Sequence, residues 1–306
     1  MKILSWNIYN FFDSEYFLNN NFFDNINSSK RYVVDRLDFF SENIKKQDPD
    51  IVYLVEAGSE DMIKQLAVRV FGEDAFVFNT KPDRRGIFNA CISRTPINCE
   101  EIVVENLEIP LFVLGEPGIT NKFLVQKRSY IKTNLGKTNI YCVHLKAQLP
   151  SALKNKSGED VEPKNSIEVA RGHFLGELTG MAEAYALRKI FTKDIDQGHN
   201  VVMVGDFNTD TFSRRMSILR GKSRLTEYYD ELDDVFPADD TSFYSYIFEK
   251  KHQRLDHVLV SKNLVGKTID KKMLSEYINV PDKSVWHDIK ILGSDHAPVV
   301  VDIDLS

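Results

Sequence analysis

Six short apolar runs recur along the chain, and each lies next to an amide, a carboxylate or an imidazole. The most informative run, Val201-Val-Met-Val204, is followed by Gly205, Asp206 and Asn208. Such a run predicts a buried strand, and the glycine lets the backbone turn tightly where the strand ends. The other runs lie beside Asn7, Glu56, His144, Asp256 and the pair Asp295-His296. The repetition predicts one shared polar site at the rim of a sheet.

The composition predicts a globular α/β protein with a sizeable core. The 306 residues are 42% hydrophobic, and predicted strands and helices alternate without a linker or repeat, so we expect one domain over residues 1–306. No apolar stretch approaches the length of about 18 residues that spans a membrane, and no signal peptide is visible, so we expect no stable membrane association. The three cysteines form no Cys-x-x-Cys pair, which favours reduced thiols and a cytoplasmic location.

The spacing of apolar residues predicts three helices. They run over Arg31 to Gln47, over Asp61 to Phe71 and from about Ile167 to Ile195. Tyr9 to Lys30 is rich in Asn and Phe without a sustained period, which predicts a long loop. The polar segment from Gln148 to Asn165 predicts a second surface loop.

The distribution of charge limits the kind of partner. A net charge of −6 argues against a broadly basic nucleic-acid coat, although a metal ion can offset clustered carboxylates and cations can be confined to one face. Arg214 to Arg224 contains five cations and no acid: Arg214, Arg215, Arg220, Lys222 and Arg224. Because this segment follows the Asp206 strand, it can line the approach to a site and neutralise a phosphate backbone. The alternative is an ordinary solvated loop or helix.

The polar residues beside the strands form a set suited to phosphodiester cleavage. Singly, each has an ordinary interpretation as a turn residue, a helix cap or a half-buried histidine. The reaction needs a divalent cation held by oxygen ligands, a base or orienting group for water, and donors that stabilise negative charge on phosphorus. Within the set, Asn7 and Glu56 offer oxygen ligands for the cation, and Asp206 and His296 are candidate bases. Asp256 offers a carboxylate that can fix the tautomer of an imidazole. Asn208 and His144 are candidate hydrogen-bond donors.

Six motifs in chain order carry a resemblance to a known family. They are Trp6-Asn7, Glu56, His144, Gly205-Asp-Phe-Asn208, Arg254-Leu-Asp256 and Ser294-Asp-His-Ala-Pro-Val299. In this order they resemble the endonuclease/exonuclease/phosphatase superfamily, from residue 6 to residue 302. The resemblance implies a four-layer α/β/β/α sandwich, in which two packed mixed β-sheets are flanked by helices and the site lies on the loops at one end.

The resemblance also implies a role for each matching residue. Mg²⁺ or Mn²⁺ is held by Glu56 with Asn7, and Asp295 lies beside the metal. Asp206 positions or deprotonates the attacking water, Asn208 orients Asp206 or the phosphate, and Asp256 hydrogen-bonds to His296. Whether Asp206 or His296 is the formal base stays open. One departure from the family pattern is Val55, which stands where a glutamine usually precedes the metal-binding glutamate.

The motif around His144 narrows the branch of the family. In having a histidine at this position, the chain resembles deoxyribonuclease I and the sphingomyelinases. Endonucleases of the exonuclease III type usually have a tyrosine there. His144-Leu-Lys-Ala147, followed by an arginine and a long helix, is similar to a group of bacterial non-specific nucleases. This resemblance implies that His144 donates to the phosphate or the leaving oxygen, and that Lys146 and Arg171 bind phosphate.

We therefore expect a divalent-metal-dependent phosphodiesterase, first of all a deoxyribonuclease-like endonuclease acting on DNA or RNA. An alternative is a sphingomyelinase-like or inositol-phosphate phosphatase-like enzyme. The segment from Tyr9 to Phe23 is the candidate lipid-binding surface for such an enzyme, but its asparagines are poorly suited to insertion into lipid. A third alternative, a non-catalytic binding module, conflicts with the retention of the whole set of polar residues.

Overall fold

Two mixed β-sheets pack face to face between helices. The computed structural model describes residues 1–104, 129–151, 153–154, 160–221, 232–279 and 291–305. Within these ranges the helices are α1 (Ser14–Asn19), α2 (Ile26–Gln47), α3 (Glu60–Phe71), α4 (Ser166–Asp196) and α5 (Arg214–Arg220).

Over the described ranges, each large sheet has six strands, given in spatial order. Sheet one contains β15 (Thr268–Met273), β16 (Val299–Ile303), β1 (Lys2–Phe11), β2 (Ile51–Ala57), β4 (Phe88–Ser93) and β3 (Phe76–Asn79). Sheet two contains β11 (Leu232–Asp234), β14 (Asp256–Ser261), β10 (Asn200–Asp206), β7 (Thr138–His144), β6 (Tyr130–Leu135) and β5 (Asn98–Ile102). Two small hairpins pair β12 (Tyr246–Phe248) with β13 (Lys251–Gln253), and β8 (Leu153–Lys154) with β9 (Asp160–Val161).

The central strands are buried on both faces, which explains their continuous apolar runs. On β2, Tyr53 lies in the core between the two sheets, while Leu54 packs in the cluster that contains α2 and α3. On β10, Val202 faces sheet one, while Met203 packs in the cluster that contains α4 and α5. Successive side chains of a strand point to opposite faces, so such a strand needs apolar residues at every position. The expected four-layer α/β/β/α sandwich is confirmed.

The helices predicted from spacing are present, but one predicted loop is wrong. α3 and α4 agree with the expected ranges to within one residue at each end. Tyr9 to Lys30 was expected to be a loop, yet it contains the last residues of β1, the helix α1 and the first turn of α2. Asp13 caps α1 by accepting from Tyr16 N, and Asn25 caps α2 by accepting from Ser28 N. α1 is only 6 residues long, too short to show a helical period.

The second predicted loop, residues 148–165, lies partly outside the described residues. The described part contains the hairpin of β8 and β9, in which Leu153 pairs with Val161. Among the helices that the structure describes, none is long and apolar enough to cross a membrane.

Parallel pairing brings four strand ends to one edge of the sandwich. β1 and β2 run parallel in sheet one, and β7 and β10 run parallel in sheet two. Gly205 in β10 has φ +131°, and a Cβ at this position would lie 2.1 Å from Val143 O on β7. Glycine is therefore required for β10 to approach β7 where both strands end.

We predict that Gly205→Ala lowers the free energy of unfolding by clearly more than about 1 kcal/mol, since a strained φ and a backbone clash add together. Urea-induced unfolding measures this. Gly198→Ala is the matched control, because Gly198 has φ +83° with no atom within 4 Å of a new Cβ. If the two variants lost the same free energy of unfolding, the contact with β7 would not be the reason that position 205 requires glycine.

Candidate active site

Four polar side chains meet at the ends of the parallel strands. Asn7 and Glu56 lie on β1 and β2, while His144 and Asp206 end β7 and β10 as register partners. Asn7 Nδ2 donates to Asp206 Oδ2 over 3.1 Å, although the two residues are 199 positions apart. His144 Nε2 lies 3.6 Å from both Glu56 Oε1 and Asp206 Oδ2. Packing of the two sheets thus creates one cluster from two strand pairs.

Glu56 reaches this cluster through an unusual backbone conformation. Its φ is +61°, in the left-handed region that residues other than glycine seldom adopt. The pairing of β2 with β4 changes register between Leu54 and Ala57. Simple alternation would turn Glu56 towards the helical layer, whereas its carboxylate lies beside His144 of sheet two. Such a conformation costs about 1–3 kcal/mol and persists only where the surrounding fold enforces it.

Asp206 is held in one orientation by Asn208. Asn208 N donates to Asp206 Oδ1 over 2.7 Å, and Asn208 Nδ2 donates to Asp206 Oδ2 over 3.1 Å. The same amide also donates to Leu145 O over 3.0 Å, which ties the turn after β10 to the segment after β7. Asn208 therefore contacts Asp206 directly, and its role in the reaction stays a prediction.

His296 is held with Nε2 facing the cluster. Its Nδ1 lies 2.7 Å from Asp256 Oδ2, and its Nε2 lies 3.8 Å from Asp206 Oδ2. Trp6 Nε1 donates to His296 O over 2.9 Å, and the ring of Tyr246 packs against the imidazole with centroids 4.9 Å apart. Because a carboxylate accepts the Nδ1 proton, Nε2 is the nitrogen that can meet a substrate.

The charges of the site perturb one another strongly. Burial raises the pKa of Asp206 to about 7, and the negative charges of Asp256 and Glu56 add to this effect. Burial likewise raises the pKa of Asp295 to about 6, with a further contribution from Glu56. Burial opposes a charge on His296, but Asp256 and Asp206 outweigh it and hold the pKa of His296 well above its usual value.

The donor set fits a divalent cation. Carboxylate and amide oxygens are the ligands that Mg²⁺ prefers, and Asn7, Glu56 and Asp295 supply them. Ser294 Oγ donates to Asn7 O over 2.5 Å, which holds the start of the Asp295 segment against β1. Burial first, and the neighbouring carboxylates second, raise the pKa of Asp206 and of Asp295, and a bound cation would offset the negative charge of these groups. In addition, ligand atoms of Asp206, Asp256 and His296 lie within 4.8 Å of one another.

The cations expected to bind phosphate differ in their surroundings. Lys146 Nζ donates to Ala147 O and Leu149 O, each over 2.9 Å, and Arg171 lies half-buried near the start of α4. On α5, Arg214 is exposed, while the guanidinium of Arg220 pairs with Asp233 over 2.9 Å. Lys222 and Arg224 lie outside the described residues.

Arg215 was expected to line the approach to the site, and this expectation is wrong. Its side chain is fully buried, pairs with Glu177 over 2.5 Å and donates to Lys146 O over 2.5 Å. A Cβ on Gly180 would lie 2.3 Å from its Cζ, so a side chain at this position of α4 would displace the guanidinium of Arg215. Glu183 of α4 accepts from Lys146 N over 2.7 Å. Arg215 and Glu183 thus fix the segment that follows His144.

Two residues near the site escaped the sequence analysis. Tyr246 packs on His296, and Arg36 of α2 binds backbone carbonyls next to Asn7 and Asp295. Tyr246 lies in a segment without a strong pattern. Arg36, by contrast, carries a readable signal, because it occupies the apolar face that Val33, Leu37 and Phe40 define. A charged residue on a buried helical face requires an internal partner.

The comparison with protein families identifies this constellation. The model of the Endonuclease/Exonuclease/phosphatase family matches residues 4–296. The chain belongs to this family. Members of the Endonuclease/Exonuclease/phosphatase family are metal-dependent phosphoesterases, so the protein is a hydrolase of phosphate esters. No match was found among curated proteins.

Several solved structures share the family's fold with this chain. The 3'-5' exonuclease NExo from Neisseria meningitidis is 16% identical, with a TM-score of 0.54 and coverage of 99% of this chain and 100% of that one. The mannosyl-6-phosphatase Bt3783 from Bacteroides thetaiotaomicron is 14% identical, with a TM-score of 0.56 and 99% coverage of both chains. An AP endonuclease from Archaeoglobus fulgidus is 12% identical, with a TM-score of 0.57 and 99% coverage of both. At these identities the likeness establishes the fold alone.

We predict that Arg215→Met lowers the free energy of unfolding by about 1–3 kcal/mol, because Lys146 O loses its buried donor. Arg214→Met is the matched control, since the neighbouring arginine is exposed, and its effect should stay within about 0.5 kcal/mol. Urea-induced unfolding compares the two variants. If both lost the same stability, the buried contacts of Arg215 would contribute nothing of their own.

Proposed function

We propose that the protein is a divalent-metal-dependent, deoxyribonuclease-like endonuclease that hydrolyses phosphodiester bonds of DNA, with RNA as the alternative nucleic-acid substrate. Two imidazole nitrogens carry this proposal, since His144 Nε2 and His296 Nε2 both approach Asp206 Oδ2, at 3.6 and 3.8 Å. Two such groups around one carboxylate can bind a phosphodiester while the carboxylate acts on water. We further propose that residues 1–306 form a single catalytic domain.

In this mechanism Asp206 is the group that positions and deprotonates the attacking water. Its raised pKa brings its basicity close to neutral pH, and hydrogen bonds from Asn7 and Asn208 fix its orientation. His296 is charged, because Asp256 and Asp206 raise its pKa, so its Nε2–H donates to a phosphoryl oxygen. Asp256 holds the Nδ1 proton and thereby sets the direction of that donation.

The remaining residues bind the phosphate and the cation. His144 donates to the phosphate or the leaving oxygen, and Lys146, Arg171 and Arg214 extend the phosphate contacts outwards. Asn7, Glu56 and Asp295 are the proposed ligands of Mg²⁺ or Mn²⁺. When bound there, the cation polarises a phosphoryl oxygen and stabilises the charge that develops on phosphorus.

A second candidate function is hydrolysis of a smaller phosphate ester, such as a sphingomyelinase-like or inositol-phosphate phosphatase-like activity. The surroundings of α5 favour this alternative, because Arg215 is buried and Arg220 is paired with Asp233. Of the cations described on α5, only Arg214 is left exposed to a polynucleotide. The two candidate functions therefore differ in the length of the substrate, which is a polynucleotide in the first and a smaller phosphate ester in the second.

We predict that the purified protein nicks supercoiled plasmid with Mg²⁺ or Mn²⁺, because the site combines oxygen ligands with a base. EDTA should abolish nicking, and so should the isosteric variant Asp206→Asn. The same panel contains single-stranded DNA, an abasic duplex, RNA, sphingomyelin and an inositol polyphosphate. If only the last two substrates were hydrolysed, the second candidate function would replace the DNA proposal. If none of the substrates were hydrolysed, both proposed functions would be contradicted.

We predict that His296→Ala lowers kcat/KM by ~10²–10⁴-fold while the fold survives. Asp256→Asn should also lower it, and the double variant should lose little beyond His296→Ala, since the two residues act as one unit. Circular dichroism verifies folding, and His173→Ala on the exposed surface of α4 is the matched control. Fully additive losses would mean that Asp256 does not act through His296.

A further inference from the structure

Arg36 is a fully buried cation that binds backbone oxygens. It lies in the middle of α2 and is only 1% exposed. Its guanidinium sits within 5.3–5.7 Å of the ring centres of Phe11, Tyr32 and Phe40. It donates to five carbonyl oxygens: Ile8 O at 2.7 Å, Tyr9 O at 2.9 Å, Asn10 O at 3.1 Å, Gly293 O at 3.3 Å and Leu292 O at 3.4 Å. A planar fork of five N–H groups suits such an arrangement, whereas an ammonium group does not.

These carbonyls belong to two segments that are remote in sequence and adjacent to the site. Residues 8–10 directly follow Asn7, and residues 292–293 directly precede the segment that carries Asp295 and His296. Tyr9 and Asn10 have φ +46° and +49°, and the pairing of β1 with β2 changes register between Asn7 and Phe11. Arg36 therefore meets the backbone where it leaves regular sheet geometry, and where sheet hydrogen bonds no longer fix it.

Two further hydrogen bonds also hold these two segments in place. Tyr32 OH donates to Ile291 O over 3.0 Å, and Ser294 Oγ donates to Asn7 O over 2.5 Å. The helix thus holds both segments, and the segments hold each other. A buried carbonyl that loses its donor is left without a hydrogen bond and destabilises the segment that carries it, so both segments depend on the guanidinium.

Arg36 also supplies positive charge behind the acidic site. Within the described residues, no carboxylate lies within ion-pair distance of its guanidinium, so carbonyl dipoles satisfy its hydrogen bonds. Asp295 is the carboxylate whose charge acts on Arg36. A buried charge without an ion-pair partner is costly and rare in proteins. Its presence beside the proposed cation ligands indicates a role that an apolar residue could not fill.

We propose that Arg36 is a positioning residue for the cation-binding face of the site, which fixes Asn7 and Asp295 relative to each other by binding the backbone next to each. The inference rests on the proposed metal role of Asn7, Glu56 and Asp295. The guanidinium does not contact the cation or the substrate. It acts through the two backbone segments, so its loss affects cation affinity before substrate is present.

The test uses the full chain with Arg36→Lys and Arg36→Gln. Arg94→Lys is the control, because Arg94 packs on Phe71 and pairs with Asp48 beside the start of β2, at the other end of that strand from Glu56. Calorimetric titration with Mn²⁺ alone should give a dissociation constant raised about 10–100-fold in both Arg36 variants, and one within about 2-fold of the parent in Arg94→Lys. Hydrogen–deuterium exchange without metal should be faster in residues 8–11 and 291–296 of the Arg36 variants, with the rest of the chain unchanged.

Unchanged Mn²⁺ affinity together with unchanged exchange in both segments would overturn the inference. Global unfolding of both Arg36 variants, seen by circular dichroism, would overturn it too, since Arg36 would then serve the fold as a whole. If the parent protein itself bound no Mn²⁺, the proposed metal role would fail. The exchange data would still report on the positioning of the two segments, so the two failures are distinguishable.

Discussion

The hydrogen bond between Asn7 and Asp206 joins the two sheets at the edge where the site lies. Asn7 is the last residue of β1 that pairs with β2 before the register changes, and Asp206 is the last residue of β10. Each strand is fixed by burial on both of its faces. The register of β1 against β2 and of β10 against β7 therefore sets where the amide and the carboxylate meet. A slip of one residue in either strand would turn these side chains into the wrong layer. The chemistry of the site thus depends on the packing of apolar strands.

Crowded negative charge is the second constraint on this edge. Several carboxylates share a largely buried space with two histidines, and burial raises the pKa of Asp206 and Asp295. Such an arrangement costs folding free energy unless cations balance it. The protein supplies a charged His296 inside the cluster and Arg36 behind it, and the oxygen ligands suit a divalent ion. The positive groups that balance the buried carboxylates therefore include the groups that the proposed reaction uses, namely a charged His296 and a bound divalent ion.

Two buried arginines hold the segments that sheet hydrogen bonds do not reach. Arg36 binds the backbone after Asn7 and before Asp295, and Arg215 binds the backbone of Lys146 after His144. Each extends from a helix in an outer layer of the sandwich to the rim of a sheet. The helices are therefore more than a cover for the core, since they determine the backbone geometry of the site's loops.

The sequence by itself determined the family, the layered fold and the polar residues that end each strand. These are local properties, since apolar runs and the residues beside them can be read one segment at a time. The structure brings Asn7, Glu56, His144, Asp206 and His296 together as the motif order implies. Only the tertiary structure decided that Arg215 is buried, that α1 interrupts the predicted loop, and that Arg36 binds two segments more than 250 positions apart. A pattern shows that a residue is charged or faces a core, but the partners that surround it come from distant parts of the chain.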